Sequence, residues 1–265
     1  MTREEIRNKI FEHFKGQIEW AKKNPNQAQQ FQMGQILSLF PNTQNVPHWE
    51  LMKVHSVARE IVQELINAGY VYPGTAQDQN SDLPWLTVTQ YGMEAFLAED
   101  WLPYDPEGYV RAFKAKVPTI DDITLAYIGE AVAGYNRRHL LSATITLGVA
   151  SENLMLLLIE AYTDWIPDAT RQASFQKKVA DRFISIQYKE FKKEFLNDVK
   201  SLPKEFQSDW ETYLDGVFNF VRLNRNDAGH PTGRQFDAKV VYANLQVFAE
   251  YAQFIFGLIK HSNSS

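Results

Sequence analysis

Cysteine is absent from this 265-residue sequence, which excludes disulfide bonds, thiolate metal sites and a cysteine nucleophile. The polar start, Met1 to Glu5, lacks the apolar core of a signal peptide, and the lack of disulfides suits a reducing compartment, so we expect a cytoplasmic protein. No run of about 18 apolar residues occurs either, so we expect no membrane span. The glycine-rich phosphate loop, the His-Glu-x-x-His pair and the nucleophile elbow are missing, and we expect no metal ion or other cofactor.

Positive charge is also in short supply. The chain has 27 Lys and Arg residues against 32 Asp and Glu residues, which gives a formal net charge of -5 at pH 7. A whole-surface attraction to nucleic acid is therefore excluded, and any contact with RNA or DNA must come from a local basic patch. The contents of 45% hydrophobic and 22% charged residues are ordinary for a globular protein, and the length suffices for two modest domains or one large one.

The first hundred residues predict three helices followed by a hairpin. Apolar side chains spaced four apart indicate a helix near the start of the chain: Ile6, Ile10, Phe14 and Ile18. We expect a second short helix over 31–40 and a third over 53–68, with Gly69 as its cap. Residues 70–72 and 85–88 then predict two short strands around a loop rich in Pro, Gly, Asp and Asn.

Two phrases of this region, 58–71 and 86–92, resemble the winged helix-turn-helix family, and the resemblance covers residues 1–105. Members of that family usually bind DNA through the third helix and the wing, which the resemblance implies here. The charges on these two elements are mixed: Lys53, His55 and Arg59 are accompanied by Glu60 and Glu64, and the loop carries Asp78 and Asp82. Acidic wings repel phosphates, so a domain used for protein contacts or dimerisation is the alternative.

The remainder of the chain predicts an all-helical bundle. Three prolines between 101 and 118 mark a linker, placed at 106–118, and a bundle domain follows over 119–262. Helices are expected over five segments: 121–135, 140–162, 169–197, 204–226 and 237–260. Five helices with short connections form a bundle, so the predicted fold is mainly α, with a winged helix of three helices and a small β-hairpin followed by a helical bundle.

The predicted helix over 169–197 is rich in basic residues: Lys177, Lys178, Arg182, Lys189, Lys192 and Lys193. Asp181, Glu190 and Glu194 lie among them. Opposite charges mixed along one helix are typical of a solvated amphipathic helix, which can also contact phosphates.

Arg225 interrupts the apolar stripe of the predicted helix over 204–226. The stripe runs from Phe206 to Val221, and the next step of four reaches Arg225. A guanidinium rarely occupies a packing face unless an anion meets it. The position therefore indicates an anion site, and basic residues near the negative end of the helix dipole are the alternative interpretation.

His230 follows this helix at a predicted turn. Gly229 suits a left-handed cap, and Pro231 cannot continue a helix. Residues five apart diverge by about 140° on a continuous helix, so ending the helix at Gly229 lets the imidazole turn back toward Arg225. A helix stop with no further role is the alternative.

Arg225, Asn226 and His230 form an Arg-Asn-x-x-x-His pattern that resembles the HEPN superfamily. The upstream phrase 150–154, on a long apolar helix, is similar as well, and the resemblance covers about residues 120–260. Members with this motif cleave RNA without a metal ion, usually as a homodimer that brings two motifs together, and the resemblance implies the same here. Such proteins are common in antiviral defence and toxin–antitoxin systems, whereas other members only bind partners.

The residue types suit that chemistry. RNA cleavage without a metal uses the neighbouring 2′-hydroxyl as nucleophile, and His230 can transfer its proton near neutral pH. Arg225 would stabilise the charge on the phosphorane, and Asn226 would orient the phosphate or the imidazole. Because one histidine does not easily act as base and acid in one step, a symmetric dimer would supply the second.

Glu152 is the candidate anion that holds Arg225 or Arg222 in place, with a solvated glutamate at a helix edge as the alternative. The predicted function is an endoribonuclease with RNA as its partner. The alternative is a non-catalytic regulator, in which the winged helix contacts DNA or a protein partner and the bundle dimerises.

Overall fold

The structure, a computed structural model, describes residues 1–24, 31–41, 47–74, 85–97, 105–229 and 236–264. The chain forms two compact units, Met1–Tyr104 and Asp105–Ser265. The described residues are mainly helical and include one small three-stranded sheet, so the prediction of a mainly α protein is confirmed.

The described part of the first unit contains four helices and three short strands: α1 (Arg3–Lys23), β1 (Phe31–Gln32), α2 (Met33–Ser38), α3 (His48–Asn67), β2 (Val71–Pro73), β3 (Trp85–Val88) and α4 (Gln90–Leu97). β3 lies between β1 and β2 and pairs antiparallel with both. The predicted hairpin is therefore present, with Val71 opposite Val88.

Local sequence signals set the ends of the helices in this unit. Thr2 and Glu5 form a capping box at the start of α1, in which the Thr2 side chain accepts from the Glu5 backbone N–H. Gly69 has a φ of +76° just after α3, and the Tyr70 N–H donates to the Leu65 carbonyl at 2.9 Å. Gly69 is thus the left-handed cap that the sequence predicts. The predicted apolar stripe of α1 is buried in the core of the unit.

The structure corrects the expected start of the second and third helices. A strand over Phe31–Gln32 replaces the first turn of the helix predicted over 31–40. Two residues are too few to show an alternating pattern, and their partner strand lies far along the chain, so periodicity does not detect them. α3 begins at His48 rather than near residue 53.

The second unit is helical throughout its described residues: α5 (Pro106–Lys116), α6 (Asp122–Asn136), α7 (Leu140–Trp165), α8 (Ala169–Val179), α9 (Ile184–Phe195), a 3-10 turn (Val199–Ser201), α10 (Lys204–Trp210), a π-helical segment (Glu211–Val217), α11 (Phe218–Gly229) and α12 (Ala238–Ser264). α7 is its central helix, because α6, α11 and α12 all pack against it.

α7 is the one helix of the described chain that is long and apolar enough to cross a membrane by length and composition. Its most apolar 18-residue window is 56% buried inside the protein. The core helix of a helical bundle has the same length and composition, and α7 occupies that position in the second unit.

The segment predicted as a linker, 106–118, contains α5 and belongs to the second unit. Pro106 stands in the first turn, where its missing N–H costs nothing, and Pro118 follows the end of the helix. The prolines therefore flank a helix instead of interrupting one. The Tyr109 hydroxyl donates to the Leu245 carbonyl at 2.6 Å, which fixes α5 to α12.

The helix expected over 169–197 is two helices that form a hairpin. α8 ends at Val179, and Asp181 adopts a φ of +53° before α9 begins at Ile184. Aspartate tolerates the left-handed region better than most side chains, so it permits the reversal. The helix expected over 204–226 is present as α10, the π-helical segment and α11, which follow one another without a break. The wider π-helical turn shifts the buried positions, which are Trp210, Leu214, Phe218 and Val221.

Candidate functional site

Gly148 on α7 lies directly against Arg225 on α11. A Cβ atom on Gly148 would lie 2.3 Å from Cβ and from Cγ of Arg225, too close for carbon atoms that are not bonded to each other. The glycine therefore lets the two helices approach until the aliphatic part of Arg225 covers the α7 backbone. Arg225 thus continues the buried face of α11, as its spacing from Val221 predicts.

The guanidinium of Arg225 extends from this contact to Glu152, one turn further along α7. Nη2 lies 3.5 Å from Oε2 of Glu152, and Nη1 donates to Oδ1 of Asn226 at 3.2 Å. The Glu152 side chain is only 16% exposed, whereas that of Arg225 is 37% exposed. The structure therefore brings Arg225, Asn226 and Glu152 together, and part of the guanidinium still faces solvent.

Arg222 lies one turn before Arg225, on the same side of α11. It is half-buried, and its Nε atom is buried without a hydrogen-bond partner among the described residues. It also lies near Tyr188 on α9, whose hydroxyl donates to Asp215 at 2.6 Å. Burial and that carboxylate raise the pKa of Tyr188, while the nearby charge of Arg222 opposes the rise. The guanidinium groups of Arg222 and Arg225 therefore lie in the same region of the unit. Of these two candidate partners, Glu152 pairs with Arg225.

His230, the residue that the sequence singles out for proton transfer, lies outside the described residues. α11 reaches Gly229, the residue immediately before it. The expected contact between His230 and Arg225 stays a prediction.

The α7 side of the site is fixed by polar contacts that the sequence alone does not reveal. Asn153, next to Glu152, donates to Asp121 at 3.0 Å and to Thr124 at 2.8 Å, which ties α7 to the first turn of α6. Asp121 also accepts from the Thr124 backbone N–H, so it caps α6 as its position predicts. Ser151, on the other side of Glu152, is fully buried, and its carbonyl accepts from the hydroxyl of Tyr251 at 3.5 Å.

The site residues differ in how visible they are in the sequence. Arg225 can be found from the break that it makes in an apolar stripe, and Glu152 from the segment 150–154, which resembles the family. Gly148 could have been found from its low helix propensity in the middle of a long helix, which suggests a packing role. Within the described ranges, no group of three or more His, Asp or Glu side chains is arranged to hold a metal ion.

In the first unit, the charges on α3 are more strongly segregated than the sequence suggests. Arg3 pairs with Glu60 and Glu64, and Arg7 pairs with Glu64, so α1 neutralises the two acidic residues in the second half of α3. Lys53 is exposed and lies over the ring of Trp49, 4.6 Å from its centroid.

The other predicted contact residues of this unit divide into two groups. Arg59 is exposed, whereas a ring nitrogen of His55 is hydrogen-bonded to the Phe40 carbonyl at 3.2 Å and is therefore engaged inside the unit. Asp78 and Asp82 of the predicted wing lie outside the described residues.

Comparison of the chain with protein-family models, with curated proteins and with solved structures finds no match.

Proposed function

We propose that the second unit is a HEPN-like bundle that cleaves RNA without a metal ion. The observation that carries the proposal is the meeting of Arg225, Asn226 and Glu152 where α7 crosses α11. The sequence motif selects Arg225 and Asn226, and a separate phrase on α7 selects Glu152, so their contact joins two independent parts of the resemblance. The proposed cellular role is antiviral defence or the toxin of a toxin–antitoxin pair.

In the proposed mechanism, the RNA 2′-hydroxyl attacks the adjacent phosphorus and the bond to the 5′-oxygen breaks. His230 transfers protons, which leaves a 2′,3′-cyclic phosphate on one product and a 5′-hydroxyl on the other. The exposed part of the Arg225 guanidinium donates to the phosphorane oxygens as negative charge collects there. Glu152 and Asn226 hold the guanidinium in position before RNA arrives.

A homodimer would complete the acid–base pair by bringing a second His230 to the reaction. In support, the face of α7 that carries Glu152 also exposes apolar side chains on both sides of it, Leu141 and Leu156. Exposed apolar residues around a polar site are suited to an interface between copies of a chain.

The first unit favours a second candidate function, a winged-helix regulator that binds nucleic acid or protein. Three helices and a hairpin follow one another in the order that the resemblance implies. The exposed face of α3 carries Trp49, Met52 and Lys53, while Glu60 and Glu64 are occupied by α1. A non-catalytic protein would use this face and keep Arg225 as a packing residue.

The two candidates are separated by an RNA-cleavage assay in excess EDTA. We expect the purified full chain to cut single-stranded RNA, and Arg225→Ala to remove this activity while circular dichroism shows an unchanged helical content. Lys200→Ala removes an exposed cation in the 3-10 turn that follows α9 and serves as the matched control, with activity like that of the unchanged chain. Cleavage that disappears in EDTA, or that survives Arg225→Ala, rejects the proposed ribonuclease.

A further inference from the structure

Phe183 is the most exposed large apolar side chain among the described residues, at 82%. It lies in the turn between α8 and α9, directly before Ile184, and is preceded by Arg182, which is also exposed. A phenylalanine in this position stabilises neither the core nor the turn, because its ring has no packing partner to bury it.

The hairpin that carries Phe183 is the basic region of an acidic chain. Residues 169–195 include seven Lys and Arg residues and three Asp and Glu residues, a net charge of +4 in a chain of net charge -5. Three of the cations are used inside the unit: Lys192 pairs with Asp215, and Arg171 and Lys178 pair with Glu194. The other four have no ion-pair partner in the described part of the chain: Lys177, Arg182, Lys189 and Lys193.

Two of these cations share one face of α9 with an exposed apolar residue, and a third lies in the turn just before the helix. Ile186, Lys189 and Lys193 follow at steps of three and four, so they form a stripe along the helix, and Arg182 lies in the turn before its start. All four are exposed. Phe183 stands at the end of this stripe.

The contacts of α9 place this end of the hairpin near the candidate site. The Phe195 ring lies 6.1 Å from that of Trp210, and the Tyr188 ring lies 4.6 Å from that of Phe218. α9 therefore runs antiparallel to the helical segment from α10 to α11. The α8–α9 turn, which precedes Tyr188, lies beside the residues that follow Phe218. The effect of Arg222 on the pKa of Tyr188 agrees with this register. Phe183 thus lies at the end of the unit that carries Arg222 and Arg225.

We propose that the α8–α9 turn is the docking surface for single-stranded RNA, with a base stacked on Phe183 and phosphates bound along the stripe by Arg182, Lys189 and Lys193. This inference rests on the proposed ribonuclease activity, because it supplies the substrate for that site. Single-stranded nucleic acid is bound by an aromatic side chain among cations, since every base offers a stacking face. A protein interface is depleted of lysine at its core, and a membrane-binding helix needs a wider apolar face than Phe183 and Ile186 provide.

The test is binding of a fluorescent single-stranded RNA in which every 2′-hydroxyl is methylated, so that it cannot be cleaved by the proposed mechanism. We expect Phe183→Ala to weaken binding by the full chain about tenfold, and Phe183→Trp to restore it. Leu196→Ala is the matched control, because Leu196 is an exposed apolar residue at the other end of α9, and it should bind like the unchanged chain. The double change Arg182→Ala and Lys189→Ala should flatten the slope of log K against log salt by about 1.4.

The outcomes separate this inference from the proposed function. If Phe183→Ala weakens RNA binding while Arg225→Ala still cleaves RNA, the docking surface stands and the proposed site fails. If Arg225→Ala abolishes cleavage while Phe183→Ala binds the methylated RNA normally, the docking surface is rejected and the site stands. The surface is also rejected if Phe183→Ala changes only the oligomeric state, or only binding to anionic lipid vesicles, since Phe183 then contacts protein or membrane.

Discussion

Each of the two units contains an arginine that meets a glutamate across two helices, and the two pairs differ in how accessible they are. In the first unit, Arg7 is 6% exposed and lies 2.7 Å from Glu64. In the second unit, Arg225 is 37% exposed and lies 3.5 Å from Glu152. The first pair is closed around the arginine and joins α1 to α3. The second leaves hydrogen-bond donors toward solvent, where an incoming anion can reach them.

The pairs also differ in which partner is covered. Glu64 is 43% exposed and is shared with Arg3, whereas Glu152 is 16% exposed. A covered carboxylate behind an accessible guanidinium can orient the arginine without preventing contact with phosphate. We infer that the first pair stabilises its unit and that the second pair holds Arg225 ready to bind an anion.

Removing the arginine of each pair should give opposite results. Arg225→Ala should lower the rate of RNA cleavage by about 100- to 1000-fold, the usual effect of losing one donor to a charged transition state, with little change in folding. Arg7→Ala should leave cleavage unchanged and lower the free energy of unfolding of the first unit by about 1–3 kcal/mol. Cleavage rates and denaturant unfolding of both variants provide the measurement. If both variants lose the same stability and neither changes the rate of RNA cleavage, the two pairs do not differ in role.

A tight glycine contact in the first unit provides the largest expected loss of stability. A Cβ atom on Gly92 would lie 2.0 Å from the carbonyl oxygen of Tyr70, which cannot move without disturbing β2. Gly92→Ala should therefore destabilise the first unit by about 3 kcal/mol. Gly16→Ala is the control, because Gly16 lies in α1 with no neighbour within 4 Å of the added carbon. Thermal unfolding of the two variants should shift in opposite directions.

The equivalent contact in the second unit involves the site itself. Gly148→Ala should displace Arg225, lower the stability of the second unit by about 1–3 kcal/mol and lower the cleavage rate. Because the backbone of α11 fixes the position of the Arg225 Cβ atom, the added methyl group fits only if α11 moves away from α7. Gly129→Ala on α6 has open space and should stabilise by about 0.5–1 kcal/mol. If Gly148→Ala is as stable and as active as the unchanged chain, Arg225 does not lie against Gly148 as closely as the structure shows.

The smallest expected effect is a pH dependence confined to the first unit. Burial lowers the pKa of His13 below its usual value of 6.5. The unfolded chain therefore binds a proton more readily than the folded unit, so the stability present above pH 6.5 is partly lost as the pH falls through the lowered pKa. The urea midpoint should be lower at pH 5.5 than at pH 7.5, and His13→Gln should reduce that difference. An identical pH dependence in the variant would exclude His13 as the cause.

Much of the fold follows from local patterns. The stripe of Ile6, Ile10, Phe14 and Ile18, the cap at Gly69 and the cap at Asp121 depend on residues within a turn of one another, and the structure places them as predicted. β1 depends on pairing with Leu86, and α5 depends on packing of Tyr109 against α12. These contacts join distant parts of the chain, and no local pattern reports them.

The candidate site divides in the same way. The sequence selects Glu152 and offers two partners, Arg222 and Arg225, because residues three apart on a helix face the same side. Only the register of α11 on α7 decides between them, and that register depends on the contact at Gly148. The basic residues of 169–195 are visible in the sequence as a run of charges, but the exposure of Phe183 depends on the hairpin turn at Asp181.

The central claim is that Arg225 acts together with His230 on RNA. It is tested most directly by the ends that the full chain and its His230→Ala variant leave on single-stranded RNA in EDTA, read by mass spectrometry. We expect 2′,3′-cyclic phosphate and 5′-hydroxyl ends from the unchanged chain and intact RNA from the variant. The same ends at the same rate from both proteins would contradict it.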